Sequence, residues 1–227
     1  MIPLHDLQPT RRPPVVTRVI LLLNIVAWVY VLSLPSDAAL EAFYSRWSFD
    51  PAAFFGAISS GDLSFGALAP IVTHQFLHAG WLHLIGNMLY LWIFGDNVED
   101  RLGSGRFLGF YLACGIGAAL AQAIVAPAQM VGASGAIAGV LGAYLVLSPT
   151  AGVRTLVFLG IFITVVTLPA IVVIGEWLLL QIVAGLDTMR VSGTTDNVAY
   201  IAHVGGAITG MALIWVLRPE PRRLPYP

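Results

Sequence analysis

Long runs without a charged residue divide the chain: Val19–Ser36, Leu63–Gly95, Phe107–Val153 and Asn197–Leu217, with Thr155–Leu186 interrupted only by Glu176. A helix that crosses a bilayer needs roughly 20 mostly apolar residues, so these runs predict six spans. The first occupies Val19–Ser36. The second starts near Leu77, because Pro70 and several polar residues fill the part of the run before it. Phe107–Val153 is too long for one helix, and Pro127 with Gly132 breaks it into the third and fourth spans. The fifth runs from about Pro169 to Gly185, with the apolar stretch before it lying at the interface or lengthening the helix. Asn197–Leu217 is the sixth.

Composition agrees. Of 227 residues, 58% are apolar and 10% charged, against about 25% charged in a soluble domain, and the mean hydropathy is +0.84. The chain is expected to be an all-α polytopic membrane protein with one domain over 1–227. It would have a short N-terminal segment (1–14), an extracytoplasmic loop (35–76) and a tail (218–227). One cysteine excludes a disulfide framework or a Cys-based zinc site. Net charge is −1 and all 11 basic residues are Arg, which leaves no basic surface for nucleic acid. Arg11 and Arg12 before the first span resemble the start of a signal peptide, but a convincing small-residue cleavage site is missing, so the helix is read as retained.

Arginine placement orients the spans. With the N-terminus cytoplasmic, Arg11, Arg12, Arg18, Arg101, Arg106, Arg154, Arg218, Arg222 and Arg223 fall inside, and only Arg46 and Arg190 outside. The long first loop is then extracytoplasmic. Its Leu40, Phe43 and Trp47 share one helical face, with Phe54 and Phe55 nearby. The loop either lies partly in the outer interface or covers the helix ends.

The few polar residues inside the bilayer carry the functional signal. The second span holds His83 and Asn87, four apart and so on one face. The fourth opens with VGASGAIAGVLGAY around Ser134, and the sixth with YIAHVGGAITG around His203. Even-numbered spans run inward, so all of these lie in the outer half of their helices. Ser134, Ala138 and Gly142 form one stripe, and His203, Gly206 and Gly210 another; small residues let membrane helices approach closely. Stacked stripes would bring the hydroxyl to the imidazole. From Ser134 to Ser148 the fourth helix spans only about 22 Å at 1.5 Å per residue, so its start, and the loop Ala126–Ala133, should dip below the outer surface. A hydrated pocket with Ser134 at its floor is expected.

A hydroxyl becomes a nucleophile when a base takes its proton, a role suited to neutral imidazole. Ser134 and His203 are the candidate catalytic pair. The acids inside or near spans, Glu176 and Asp96, are not obvious triad partners, so a dyad is expected, with His203 held by helix packing. The free N-terminus of the fourth helix around Ser134, together with His83 and Asn87, offers donors for an oxyanion. His74 and His78 are also four apart, but no HExxH or nearby carboxylate supports a metal. They are read as lining the cavity mouth or packing under the first loop. No facing pair of carboxylates suits an aspartyl protease. Cys114 is read as inert core and Asn24 as a helix–helix hydrogen bonder. Glu176 is assigned to the cavity, to a pairing with Gln181 or to a cavity water.

The run FLHAGWLHLIGNMLYLWIFGDNVEDRLG, the GASG at Ser134 and the AHVGGAITG at His203 resemble the rhomboid family of intramembrane serine proteases, in order and across all the spans. The resemblance implies a six-helix core with a half-embedded first loop (35–76), Ser134 as nucleophile, His203 as general base, and His83 and Asn87 as oxyanion stabilisers. It implies cleavage of single-span membrane substrates near small residues, without cofactor or ATP, with membrane lipid and transmembrane protein segments as the partners. It makes Glu99-Asp100-Arg101 a structural turn, Pro169–Gly185 a lateral gate and Leu186–Val198 a cap. Some members stack an aromatic residue, four positions after the nucleophile, on the catalytic histidine; here that position is Ala138. A client-binding relative without catalysis would not need the Ser–His pair. A transporter would suggest charges along a path or inverted repeats, which the sequence lacks. A bacterial cytoplasmic membrane, with the site opening outward, fits the Arg-only composition.

Overall fold

In a computed structural model, the structure describes residues 1–160, 162–190, 199–217 and 219. The expected tail (218–227), apart from Pro219, and most of the Leu186–Val198 cap lie outside the described residues. The helices, in chain order, are α1 (Val15–Leu32), α2 (Asp37–Trp47), α3 (Pro51–Ser60), α4 (Phe65–Leu68), α5 (Pro70–Thr73), α6 (Trp81–Leu102), α7 (Ser104–Val125), α8 (Ser134–Leu147), α9 (Ala170–Arg190) and α10 (Tyr200–Leu217). The strands are β1 (Ile2–Asp6), β2 (Gly152–Leu159) and β3 (Phe162–Pro169). The predicted spans correspond to α1, α6, α7, α8, α9 and α10. Among the described residues α1, α7, α9 and α10 are long and apolar enough to cross a membrane by length and composition. Helix α8, with 14 residues, is shorter, and α6 ends in the charged run DNVEDR.

Helix α8 is the axis of the bundle. Every residue from Gly135 to Tyr144 is buried, against α10, α7 and α6. The interface with α10 depends on missing side chains. A Cβ at Gly206 would collide with the Gly135 carbonyl, one at Gly210 with the Gly139 carbonyl, and one at Gly142 with the Ala207 carbonyl. The contact stripe on α8 is therefore Gly135, Gly139 and Gly142, one residue around from the predicted Ser134, Ala138, Gly142 stripe. Cys114 is free and buried against Gly139, in the core as expected.

The turn between α6 and α7 builds the start of α1. Helix α1 follows Pro14 and has no side-chain cap of its own. The Glu99 carboxylate instead accepts from the backbone N–H groups of Val16 (2.9 Å) and Thr17 (2.7 Å), from the Thr17 hydroxyl (2.8 Å) and from Ser104 (2.6 Å). Asp100 accepts from the N–H groups of Arg11 and Arg12. A carboxylate here satisfies orphan donors and complements the positive end of the helix dipole. Asn24 does not bridge helices: its amide donates back to the Ile20 carbonyl of its own helix, 2.8 Å away, and its oxygen has no partner.

The stretch before the fifth span departs from expectation. It does not lengthen the helix. It folds into the β2–β3 hairpin, which joins β1 in an antiparallel sheet of order β1-β2-β3. The run GVRTLVFLGIFITVVTLP is rich in β-branched residues around a glycine at φ +62° (Gly160), the composition of a hairpin. A hydropathy window cannot tell such a hairpin from a helix. Asp6 anchors the sheet, accepting from Asn97 and Tyr144, each at 2.7 Å. Burial pushes its carboxyl above the ordinary carboxylate value.

The predicted first loop contains α2 and α3, capped by Ser36 and Asp50. Leu40 and Phe43 of the face read from the sequence, joined by Tyr44 rather than Trp47, pack on Trp28, Val31 and Leu84 at the ends of α1 and α6.

Candidate active site

The segment before α8 places Ser134. Phe49 and Met130 form an antiparallel bridge (3.0 and 2.9 Å), and the Gly132 N–H donates to the His74 carbonyl at 2.9 Å. The irregular backbone is thus held by protein. Gly132 has φ +131°, and a Cβ there would lie 2.7 Å from His83 Nε2 and 3.5 Å from Ser134 Oγ. Only glycine meets both constraints. The His83 ring and the Ser134 hydroxyl thus both border the space a Cβ would fill. From Gly132 to Tyr144, Ser134 alone is only partly buried. Helix α8 begins at Ser134, and its first backbone bond runs from Ile137 N–H to the Ala133 carbonyl. The N–H groups of Ser134, Gly135 and Ala136 are therefore not used inside the helix.

The structure brings the predicted pair together. Ser134 Oγ and His203 Nε2 are 2.8 Å apart. The two stripes of small residues are what allow α8 and α10 to approach this closely. The N-terminus of α10 is held from α7: the Gln122 side-chain oxygen accepts from Ala202 N–H at 3.0 Å, while its amide donates to the Ala126 carbonyl at 2.6 Å.

His203 is not held by helix packing alone. Its Nδ1 lies 2.7 Å from Gln181 Oε1. The Trp177 ring sits 5.5 Å from the imidazole at 37°, and Tyr200 approaches edge-on at 6.5 Å. Helix α9 thus supplies, at Trp177, the aromatic neighbour that Ala138 on α8 does not. These two residues are what the sequence reading missed. Their signal was present: Trp177 and Gln181 are four apart on the fifth span, and Gln181 is a rare intramembrane polar group.

Asn87 is buried, and its amide nitrogen has no partner. It shares a helix face with His83, one turn away. Leaving a buried donor unpaired costs about 1–3 kcal/mol, so this donor is one that only a further group would satisfy. His74 and His78 do not line an open mouth. Both are 1% exposed. His74 Nδ1 lies 2.9 Å from the Pro70 carbonyl, with its ring beside Phe49, and Tyr44 donates its hydroxyl to the His78 carbonyl, so they sit under the first loop. Glu176 does not meet Gln181; it lies 3.5 Å from the Met1 amino group. Among the described residues no cluster of three or more His, Cys, Asp or Glu side chains could hold a metal ion.

The family model for the Rhomboid domain matches residues 66–220. The chain is 34% identical to rhomboid-like protein 11, chloroplastic, of Arabidopsis thaliana, over 70% of this chain and 55% of that protein. It is 45% identical to the rhomboid protease GluP of Bacillus subtilis (strain 168) over 40% of this chain and 18% of that one. It is 33% identical to the putative rhomboid protease YdcA of the same organism over 58% of this chain and 61% of that one. The matched part is thus less than two thirds of the length of each of these relatives. With a domain model that covers most of its length, and with apolar helices built to cross a bilayer, this chain is a multi-pass membrane protein that belongs to the rhomboid family.

Proposed function

We propose that the chain is an intramembrane serine endopeptidase that hydrolyses a peptide bond in or near the transmembrane segment of a membrane protein. The 2.8 Å contact between Ser134 Oγ and His203 Nε2 carries this reading. Ser134 donates its hydroxyl proton to Nε2 as Oγ attacks the scissile carbonyl carbon. The oxyanion forms at the start of α8, where unused backbone N–H groups, the unpaired Asn87 amide and the His83 ring offer donors. His203 then returns the proton to the leaving amine. A water, deprotonated in the same way, releases the acyl group and restores the hydroxyl. The names of the relatives GluP and YdcA, both called proteases, support the same chemistry. The excess of Arg on one side of the spans supports a cytoplasmic-membrane location with the site opening outward.

The chemistry uses only side chains and backbone. In liposomes, cleavage of a single-span reporter protein is expected to proceed without ATP and to continue at an unchanged rate in excess EDTA. A reporter that stays intact beside folded protein would refute the protease reading, and activity abolished by the chelator would refute the metal-free mechanism.

A further inference from the structure

We propose that Gln181 is a positioning residue for this reaction, fixing the tautomer and the ring plane of His203 from α9; the inference rests on the protease reading above. The Gln181 oxygen lies 2.7 Å from the imidazole, with its nitrogen on the side of the Trp177 carbonyl of its own helix, 3.4 Å away. An amide oxygen only accepts, so the 2.7 Å contact is a hydrogen bond when His203 Nδ1 carries the ring proton. Nε2 is then left with its lone pair towards Ser134, the one tautomer in which the imidazole can take the hydroxyl proton. Without that partner either nitrogen could be protonated, and the wrong tautomer would present an N–H to Ser134. In serine proteases with a triad, a carboxylate performs this orienting task. Here a neutral group performs it, and no ion has to be stripped of water inside the bilayer.

The surroundings leave the task to α9. Trp177, one turn before Gln181, covers the ring, and Tyr200 meets its edge. From α8 the ring meets Ser134, and from α7 the nearby Gln122 is already committed to Ala202 and Ala126. Among the described residues the titratable groups around the site are few. His83 reaches it from α6. Glu176 is engaged with the Met1 amino group, and Asp187 lines a groove with Gln181 and Tyr200, two turns further along α9. None of them is hydrogen-bonded to Nδ1. Helix α9 is also a peripheral element, with Leu179, Leu180, Ile182 and Val183 exposed. The base is therefore competent only while α9 lies against α10.

The test is the rate at which a fluorophosphonate probe labels the purified full chain, followed against pH, for wild type, Gln181→Leu and Gln181→Glu. Gln181→Leu should slow labelling by about 10- to 100-fold at equal thermal stability, and ¹⁵N spectra of His203 should show loss of the single Nδ1–H tautomer. Gln181→Glu should recover labelling at alkaline pH. It should also move the acid limb of the profile to higher pH, because an adjacent carboxylate favours the imidazolium; a residue that only packs would leave the limb in place. Wild-type labelling by Gln181→Leu, or an unmoved limb in Gln181→Glu, would overturn the proposal. If Gln181→Leu does not fold, the limb of Gln181→Glu decides. A wild-type chain that takes no label would overturn the protease reading and this proposal together, whereas a labelled wild type with indifferent Gln181 variants would overturn only the proposal.

Discussion

Ser134→Ala is expected to bring cleavage of a reporter membrane protein down to the uncatalysed background, with the folded protein unchanged. Loss of a serine nucleophile typically costs on the order of 10⁶ in turnover, equivalent to about 8 kcal/mol of barrier at 1.36 kcal/mol per decade. The size of the effect follows from the geometry. Among the residues from Gly132 to Tyr144 only Ser134 is not buried, and its hydroxyl is hydrogen-bonded to His203 Nε2. Removing one oxygen leaves the glycine contacts, the Phe49–Met130 bridge and the Gln181 contact intact. Stability should therefore hold while chemistry disappears. Rates for wild type and variant on the same liposome-embedded substrate, beside their melting curves, check this. Residual cleavage within tenfold of wild type would place the nucleophile elsewhere.

The second large effect is expected far from any reacting atom. Gly206→Leu should reduce cleavage by about 100-fold or more, since misplacing reacting groups by about 1 Å can cost that much. A side chain at Gly206 would drive into the Gly135 carbonyl, which belongs to the residue next to Ser134. Backbone cannot turn aside as a flexible side chain can, so α10 must move away from α8 and carry His203 with it. Overpacking of this kind costs typically 1–3 kcal/mol of stability, so the variant should melt lower yet still insert. Gly206→Ala should fall between the two. Gly86, where an added Cβ meets nothing within 4 Å, is the control position. The result to look for is a graded loss at Gly206, with Gly86→Ala close to wild type; equal tolerance at both would mean the close approach of α8 and α10 does not set the Ser–His distance.

The sequence made the bundle legible because membrane spans announce themselves by length and by the absence of charge. It made the pair legible because Ser134 and His203 each sit at the head of a small-residue stripe. The stripe on α8 is less sharply encoded, since spacing defines a helix face only to within a neighbouring position, and Gly135, Gly139 and Gly142 make the contact in place of Ser134, Ala138 and Gly142. The hairpin was hidden: an uncharged β-branched run scores as a span or an interfacial stretch whichever way its backbone turns, and the pairing of β1 with β2 joins residues about 150 positions apart. The support of His203 was hidden for a related reason. Gln181 and Trp177 lie on one face of α9, but which neighbour that face meets depends on how α9 leans on α10, and no local pattern encodes this. Glu176, weighed as the intramembrane acid, proved to face the Met1 amino group instead.

The most direct measurement is the site and pH dependence of covalent modification by a fluorophosphonate, read by mass spectrometry of the digested protein in wild type and His203→Ala. An imidazole-activated serine predicts one adduct, on Ser134, with a rate that rises as the base loses its proton and that collapses in His203→Ala. An adduct on any other residue, or equal labelling of Ser134 when His203 is absent, would contradict it.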